Sequence, residues 1–153
     1  VEVLNQAWHD PARDRDVPAT IYYPKDANGP CPVILFSHGL GGSNELYSYL
    51  GRCWAGRGYV AVHLDHRGSD TLAILAGGIT KVGQTGRKIA TDPQNAINRA
   101  QDVSFAIDRL TKLNADETWP LHGRIDLEKI GLAGHSFGGN TAMIMPIAAA
   151  RLR

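Results

Sequence analysis

The sequence predicts an α/β fold with a mostly parallel sheet of about five strands. Three observations predict it. Two short strand patterns open the chain, strand–helix units alternate after them, and residues 33–36 form an unbroken apolar run of the kind covered on both faces. The 153 residues suit one domain, 1–153.

The elements follow in order. Residues 1–9 alternate loosely and read as a first strand. Residues 10–16 are charged, contain Pro11 and read as a turn. Ala19–Tyr23 is β-branched and aromatic and is stopped by Pro24, a second strand. Residues 24–32 are rich in Pro, Gly, Asn and Asp, a loop. Residues 33–36 form a continuous apolar strand that runs into the glycine-rich loop 37–43. Residues 45–57 place Leu46, Tyr49, Leu50, Cys53 and Trp54 at helical spacing, and Gly58 stands where a helix-ending glycine would. Residues 59–64 are another buried strand. Residues 65–93 are irregular, too long for a plain connection, and read as a functional or mobile excursion. In 95–114, Val103, Ala106, Ile107, Leu110 and Leu113 share one helical face, with Asp102, Asp108 and Arg109 off it. Residues 129–133 are the last strand, and 138–153 read as a helix kinked at Pro146.

Composition narrows the function. Apolar residues are 43% and charged residues 20%, an ordinary globular balance, and the net charge of +1 offers nothing to a polyanion. No basic–aromatic stripe supports nucleic-acid binding, and no apolar run reaches the roughly 18 residues of a membrane span. The two cysteines, Cys31 and Cys53, lack Cys-x-x-Cys spacing and read as free thiols, with a single disulfide the alternative in an exported protein. The chain starts at Val1 with no signal-like segment, which reads as a processed or trimmed product.

One motif carries chemistry. Strand 129–133 leads into Gly134-His135-Ser136-Phe137-Gly138-Gly139 and then a helix. This is G-x-S-x-G in the strand–turn–helix setting of the nucleophile elbow of α/β hydrolases. The serine sits on a sharp turn, and Gly134 and Gly138 remove side chains that would clash two residues away on either side. Ser136 is thus the expected nucleophile, and the N–H of Phe137 an oxyanion donor. In this fold the loop after the third strand supplies a second donor, here Leu40, following His38-Gly39. His38 then shapes the loop rather than acting as base. The same stretch nearly fits a phosphate loop through Gly134, Gly139, Asn140 and Thr141, but Asn140 replaces the required lysine.

Several segments together resemble a family. They are Phe36-Ser37-His38-Gly39-Leu40-Gly41-Gly42, Leu46-Tyr47-Ser48, Gly58-Tyr59-Val60, Asp65-His66-Arg67, Arg99 through Leu110, Ile125 through Gly131, and the elbow itself. This combination resembles the platelet-activating-factor acetylhydrolases and their bacterial dienelactone-hydrolase-like relatives, and more distantly the cutinase-like polyesterases. The resemblance implies the α/β-hydrolase fold with strand order 1-2-4-3-5-6-7-8. It also implies a serine hydrolase of carboxylic esters, often with short acyl groups, that uses no cofactor and no metal and takes small-molecule or lipid-like esters.

The triad of this fold runs Ser, acid, His along the chain, yet no acid and no histidine follows Ser136. The resemblance places both beyond Arg153, so the chain reads as the amino-terminal part of the fold. It is then a fragment, one piece of a split esterase, or a shortened and non-catalytic form. Among upstream residues, Asp65 and His66 follow a strand's carboxyl end and are the local candidates for a substitute acid and base. His63 reads as a core residue, His9 and His122 lie at the wrong end of the sheet, and His135 packs beside the nucleophile. Asp70 and Asp92 read as solvated loop acids. A chain ending after the fifth strand leaves 129–133 as an open edge beside an apolar helix, which predicts a homo-oligomer.

Overall fold

The computed structural model of the chain describes residues 1–145. Seven strands and five α-helices follow one another: β1 (Glu2–Gln6), β2 (His9–Asp10), β3 (Arg15–Asp16), β4 (Ala19–Tyr23), β5 (Cys31–Ser37), α1 (Ser48–Ala55), β6 (Val60–Leu64), α2 (Thr71–Leu75), α3 (Val82–Thr91), α4 (Pro93–Asn114), β7 (Ile125–Gly134) and α5 (Phe137–Ile144). The main sheet has the order β1-β4-β6-β5-β7. In the numbering of the five long strands alone this is 1-2-4-3-5, as the resemblance implied. β4 pairs antiparallel with β1 and β6, while β5 pairs parallel with β6 and β7. Among the described residues, β4 is therefore the one long strand that runs against the rest.

The pleat sorts side chains between two layers. Val60, Val62 and Leu64 of β6 join Val33 and Leu35 of β5 on the face covered by Val103, Ala106, Leu110 and Leu113 of α4. Ala61 lies on the opposite face with Tyr22 and Ala55. His63 points the same way, fully buried among the rings of Tyr22, Phe36 and Trp54, and burial lowers its pKa to about 4. It is a core histidine, as its place in a strand suggested.

Helix ends follow local chemistry. Asp92 accepts from the Gln94 N–H (2.9 Å) and Pro93 occupies the first turn of α4, where a missing N–H costs nothing. Gly58, after α1, has φ +88°, a conformation that suits only glycine at low cost.

Five expectations change. Residues 10–16 hold the short β2–β3 hairpin rather than a bare turn. The excursion 65–93 is largely helical, with α2, a 3₁₀ turn (Ile79–Lys81) and α3; its glycines and threonines dilute the 3.6-residue pattern that would have announced helices. Asp70 is buried rather than solvated, capping α2 through the Ala73 N–H (2.9 Å) and pairing with Arg67 (2.9 Å). Asp102 is fully buried on α4. It extends the buried stripe toward the amino end together with Arg99, which a reading of apolar residues alone passes over. β7 runs four residues earlier than 129–133, with its register against β5 shifting between Pro32 and Val33. The expected kink at Pro146 and the helix beyond it lie outside the described residues. Both cysteines are free thiols, Cys31 buried and Cys53 exposed. Among the described residues no helix is long and apolar enough to cross a membrane.

Candidate active site

The carboxyl ends of β5 and β7 lie side by side, with Ser37 paired to Gly134. This is the end of the sheet where open α/β folds place their ligands. Just beyond it, Ser136 adopts φ 52° and ψ −116°, a strained conformation for any residue with a Cβ. The turn is held from below and ahead: the His135 N–H donates to Ser37 O (3.3 Å), the Gly138 N–H to His135 O (2.9 Å) and the Gly139 N–H to Ser136 O (2.9 Å).

The two elbow glycines are required by space. A Cβ on Gly134 would overlap the backbone of Gly138, and a Cβ on Gly138 would overlap the carbonyls of Ser37 and His38. The first turn of α5 thus lies directly on the loop that follows β5. Phe137 opens α5, so its N–H has no intrahelical acceptor.

Leu40, Ser136 and Phe137 line one cavity of about 430 Å³ with Ala90 and Asn140. The structure thus brings the expected nucleophile and both expected oxyanion residues together. The Leu40 loop is pinned by the Gly41 N–H to Ser69 O (2.9 Å), the Gly42 N–H to Gly39 O (3.0 Å) and the Thr71 hydroxyl to Gly41 O (2.9 Å).

The histidines near the loop are committed elsewhere. His38 is fully buried. Its Nε2 accepts from the His66 N–H (3.1 Å), which leaves the proton on Nδ1 to donate to Gly39 O (2.6 Å). His135 is exposed, and its Nδ1 meets the Tyr47 hydroxyl at 2.9 Å. His66 is fully buried, with Nδ1 2.9 Å from Asp102 and Nε2 3.0 Å from the Ser37 hydroxyl. Asp65 faces Arg67 (3.6 Å) and His38 Nε2 (3.3 Å). Among the described residues no histidine hydrogen-bonds the Ser136 hydroxyl.

Ser37, His66 and Asp102 reproduce the residue types and order of contact of a hydrolytic triad, but they are sealed in the interior. Burial lowers the His66 pKa to about 4, against the hydrogen bond to Asp102 that raises it. The ring is neutral, donating from Nδ1 to Asp102 and accepting the Ser37 proton at Nε2. Burial would raise the Asp102 pKa, but hydrogen bonds from His66 and Arg15 hold it below its ordinary value. Arg13 Nη1 (2.9 Å) and Arg15 Nε (2.8 Å) complete its partners. Sequence reasoning missed Ser37 and Asp102. The available signal was polar residues at 99 and 102 on the same helical face as Val103, Ala106 and Leu110.

The family model of platelet-activating factor acetylhydrolase, isoform II, matches residues 14–80. A platelet-activating factor acetylhydrolase of Cavia porcellus is 27% identical over 151 residues, covering 83% of this chain and 34% of that protein. A probable 1-alkyl-2-acetylglycerophosphocholine esterase of Arthroderma benhamiae is 29% identical over 126 residues, covering 79% of this chain and 30% of that protein. The chain spans about a third of the length of these curated relatives. A ferulic acid esterase from Streptomyces cinnamoneus superposes with a TM-score of 0.61 at 23% identity, over 94% of this chain and 53% of the esterase. The chain has the α/β-hydrolase fold, and in sequence it is similar to platelet-activating factor acetylhydrolases.

Proposed function

We propose that the chain carries the nucleophile and oxyanion hole of a carboxylic ester hydrolase that works through an acyl-serine. The observation that carries this reading is Ser136 held at positive φ in one cavity with Leu40 and Phe137. The Ser136 hydroxyl attacks the ester carbonyl carbon. The carbonyl oxygen becomes the oxyanion and is met by the Leu40 and Phe137 N–H groups. Collapse expels the alcohol and leaves the acyl group on Ser136, and water then releases the acid. The proton acceptor for Ser136 is not among the described residues, since His38, His66 and His135 are engaged elsewhere. Leu40, Ala90 and Phe137 give the cavity an apolar lining beside Ser136 and Asn140, which suits a short acyl group on a small or lipid-like alcohol.

That unoccupied role for a base favours a second reading, a non-catalytic module that keeps the cleft. Release of p-nitrophenol from p-nitrophenyl acetate separates the two. We expect slow turnover, on the order of 10³–10⁴ above water, as where oxyanion donors and binding act without a complete triad, together with a slowly formed acetyl adduct on Ser136, read by intact mass and absent in Ser136→Ala. Release with no acetyl adduct on Ser136 would overturn the acyl-serine reading. Fast turnover lost in Ser136→Ala would assign the base to one of this chain's own histidines, and His66→Ala is the first variant to test.

A further inference from the structure

We propose that Arg99 is a positioning residue for the oxyanion hole, tying the Leu40 loop and the Ser136 elbow into one unit through His38 O and the Phe137 ring. The inference rests on the acyl-serine reading above.

Arg99 is fully buried on α4. Its Nη1 donates to His38 O at 2.7 Å and its Nε to the Ser69 hydroxyl at 2.9 Å. Its Cζ lies 4.6 Å from the centroid of the Phe137 ring. One rigid, planar group therefore touches both segments that carry the expected donors. His38 O is itself the junction, because it lies against Gly138 where only a glycine can approach. Ser69 extends the grip: its carbonyl accepts from the Gly41 N–H, one residue past Leu40.

The arrangement is costly for a purely structural arginine. The nearby carboxylates are taken by other groups, Asp102 by Arg13, Arg15 and His66, and Asp65 and Asp70 by Arg67. Among the described residues no carboxylate forms an ion pair with Arg99. A buried cation without a direct anion is costly, and burial pulls the Arg99 pKa down to about 10. An apolar side chain of similar length would fill the space without that cost. It could neither donate to His38 O nor hold the Phe137 ring through a cation–π contact. Fixing donors before the charge develops is what gives an oxyanion hole its effect, so the expense falls where such a site needs rigidity.

The test is the rate at which a fluorophosphonate labels Ser136 in the full chain at about pH 8.5, where hydroxide takes the serine proton, measured by intact mass against probe concentration, with folding followed by near-ultraviolet circular dichroism. Arg99→Met is expected to lower the saturating rate about tenfold or more and to leave the half-saturating concentration within about twofold, as for a group that acts on the transition state alone. Phe137→Leu, which keeps the N–H and removes the ring, is expected to lower the rate similarly. The double variant should be no slower than the slower single, because the two side chains act as one unit. A folded Arg99→Met that labels at the parental rate overturns the inference, as does a loss confined to half-saturation or a double variant whose losses multiply. If Arg99→Met does not fold, Phe137→Leu decides alone, and a parental rate there is fatal. No Ser136 adduct in the folded parent chain would sink the acyl-serine reading and this inference with it, whereas a labelled parent with indifferent variants sinks only the inference.

Discussion

Replacing Asp102 by Asn changes one charge and almost no volume, so it isolates the electrostatic role of a carboxylate with no solvent exposure. That carboxylate receives Arg13 Nη1 at 2.9 Å, Arg15 Nε at 2.8 Å and Nη2 at 2.9 Å, and His66 at 2.9 Å. Asn offers a single acceptor oxygen to these four donors, and its amide hydrogens point at one or two of them. Two guanidinium groups, only 18% and 15% exposed, lose their shared anion. Breaking a buried pair by removing one partner costs about 3–5 kcal/mol, a large share of the roughly 5–15 kcal/mol that holds a domain folded. At about 2–4 °C per kcal/mol for a chain of this size, the melting temperature should fall by about 10 °C. Urea denaturation at pH 7.5 reads the free energy directly. A change under about 1 kcal/mol would refute the reasoning, because it would mean that the arginines are satisfied by solvent and that Asp102 is no hub.

Three further outcomes are expected. Gly138→Ala places a methyl group against Ser37 O, so the elbow must open; we expect a loss of about 1–3 kcal/mol and of Ser136 labelling, and unchanged melting and labelling would contradict the close approach. Acidification should destabilise the fold between pH 6.5 and 4. His63 and His66 titrate near 4 when folded and at 6.5 when free, so the unfolded chain binds more protons in that window. Their contribution is complete above 6.5 and is lost as the pH falls toward 4, about 2 kcal/mol per ring by pH 5; equal urea midpoints at pH 7.5 and 5 would refute this. We also propose self-association through β7, which stands at the end of the sheet order as an edge; light scattering that shows a monomer at high concentration would dispose of it.

Much of the fold was legible because its signals are local. Ala19–Tyr23 is bounded by its own composition, strand 33–36 is apolar without interruption, and strand 59–64 is apolar but for His63. The elbow was legible because sterics demand glycines at 134 and 138. Illegible parts depend on partners distant in sequence. Asp102 looks like a surface acid until Arg13 and Arg15 are brought to it across the hairpin. His66 looks like a free histidine at a strand end until Ser37 and Asp102 take both of its nitrogens. Arg99 carries no local mark of the role proposed for it. The helices of the excursion escaped for a different reason: Gly77, Gly78, Gly83 and Gly86 make its helical propensity weak.

The central claim is that Ser136, and not the buried Ser37 beside its histidine, is the reactive serine. Peptide mapping after exposure of the folded chain to a fluorophosphonate at about pH 8.5, where hydroxide takes the serine proton, tests it most directly, because one digest reports every serine at once. The account predicts a single adduct on the peptide carrying Ser136, absent in Ser136→Ala and undiminished in Ser37→Ala. An adduct on Ser37, or labelling that survives Ser136→Ala, would contradict it.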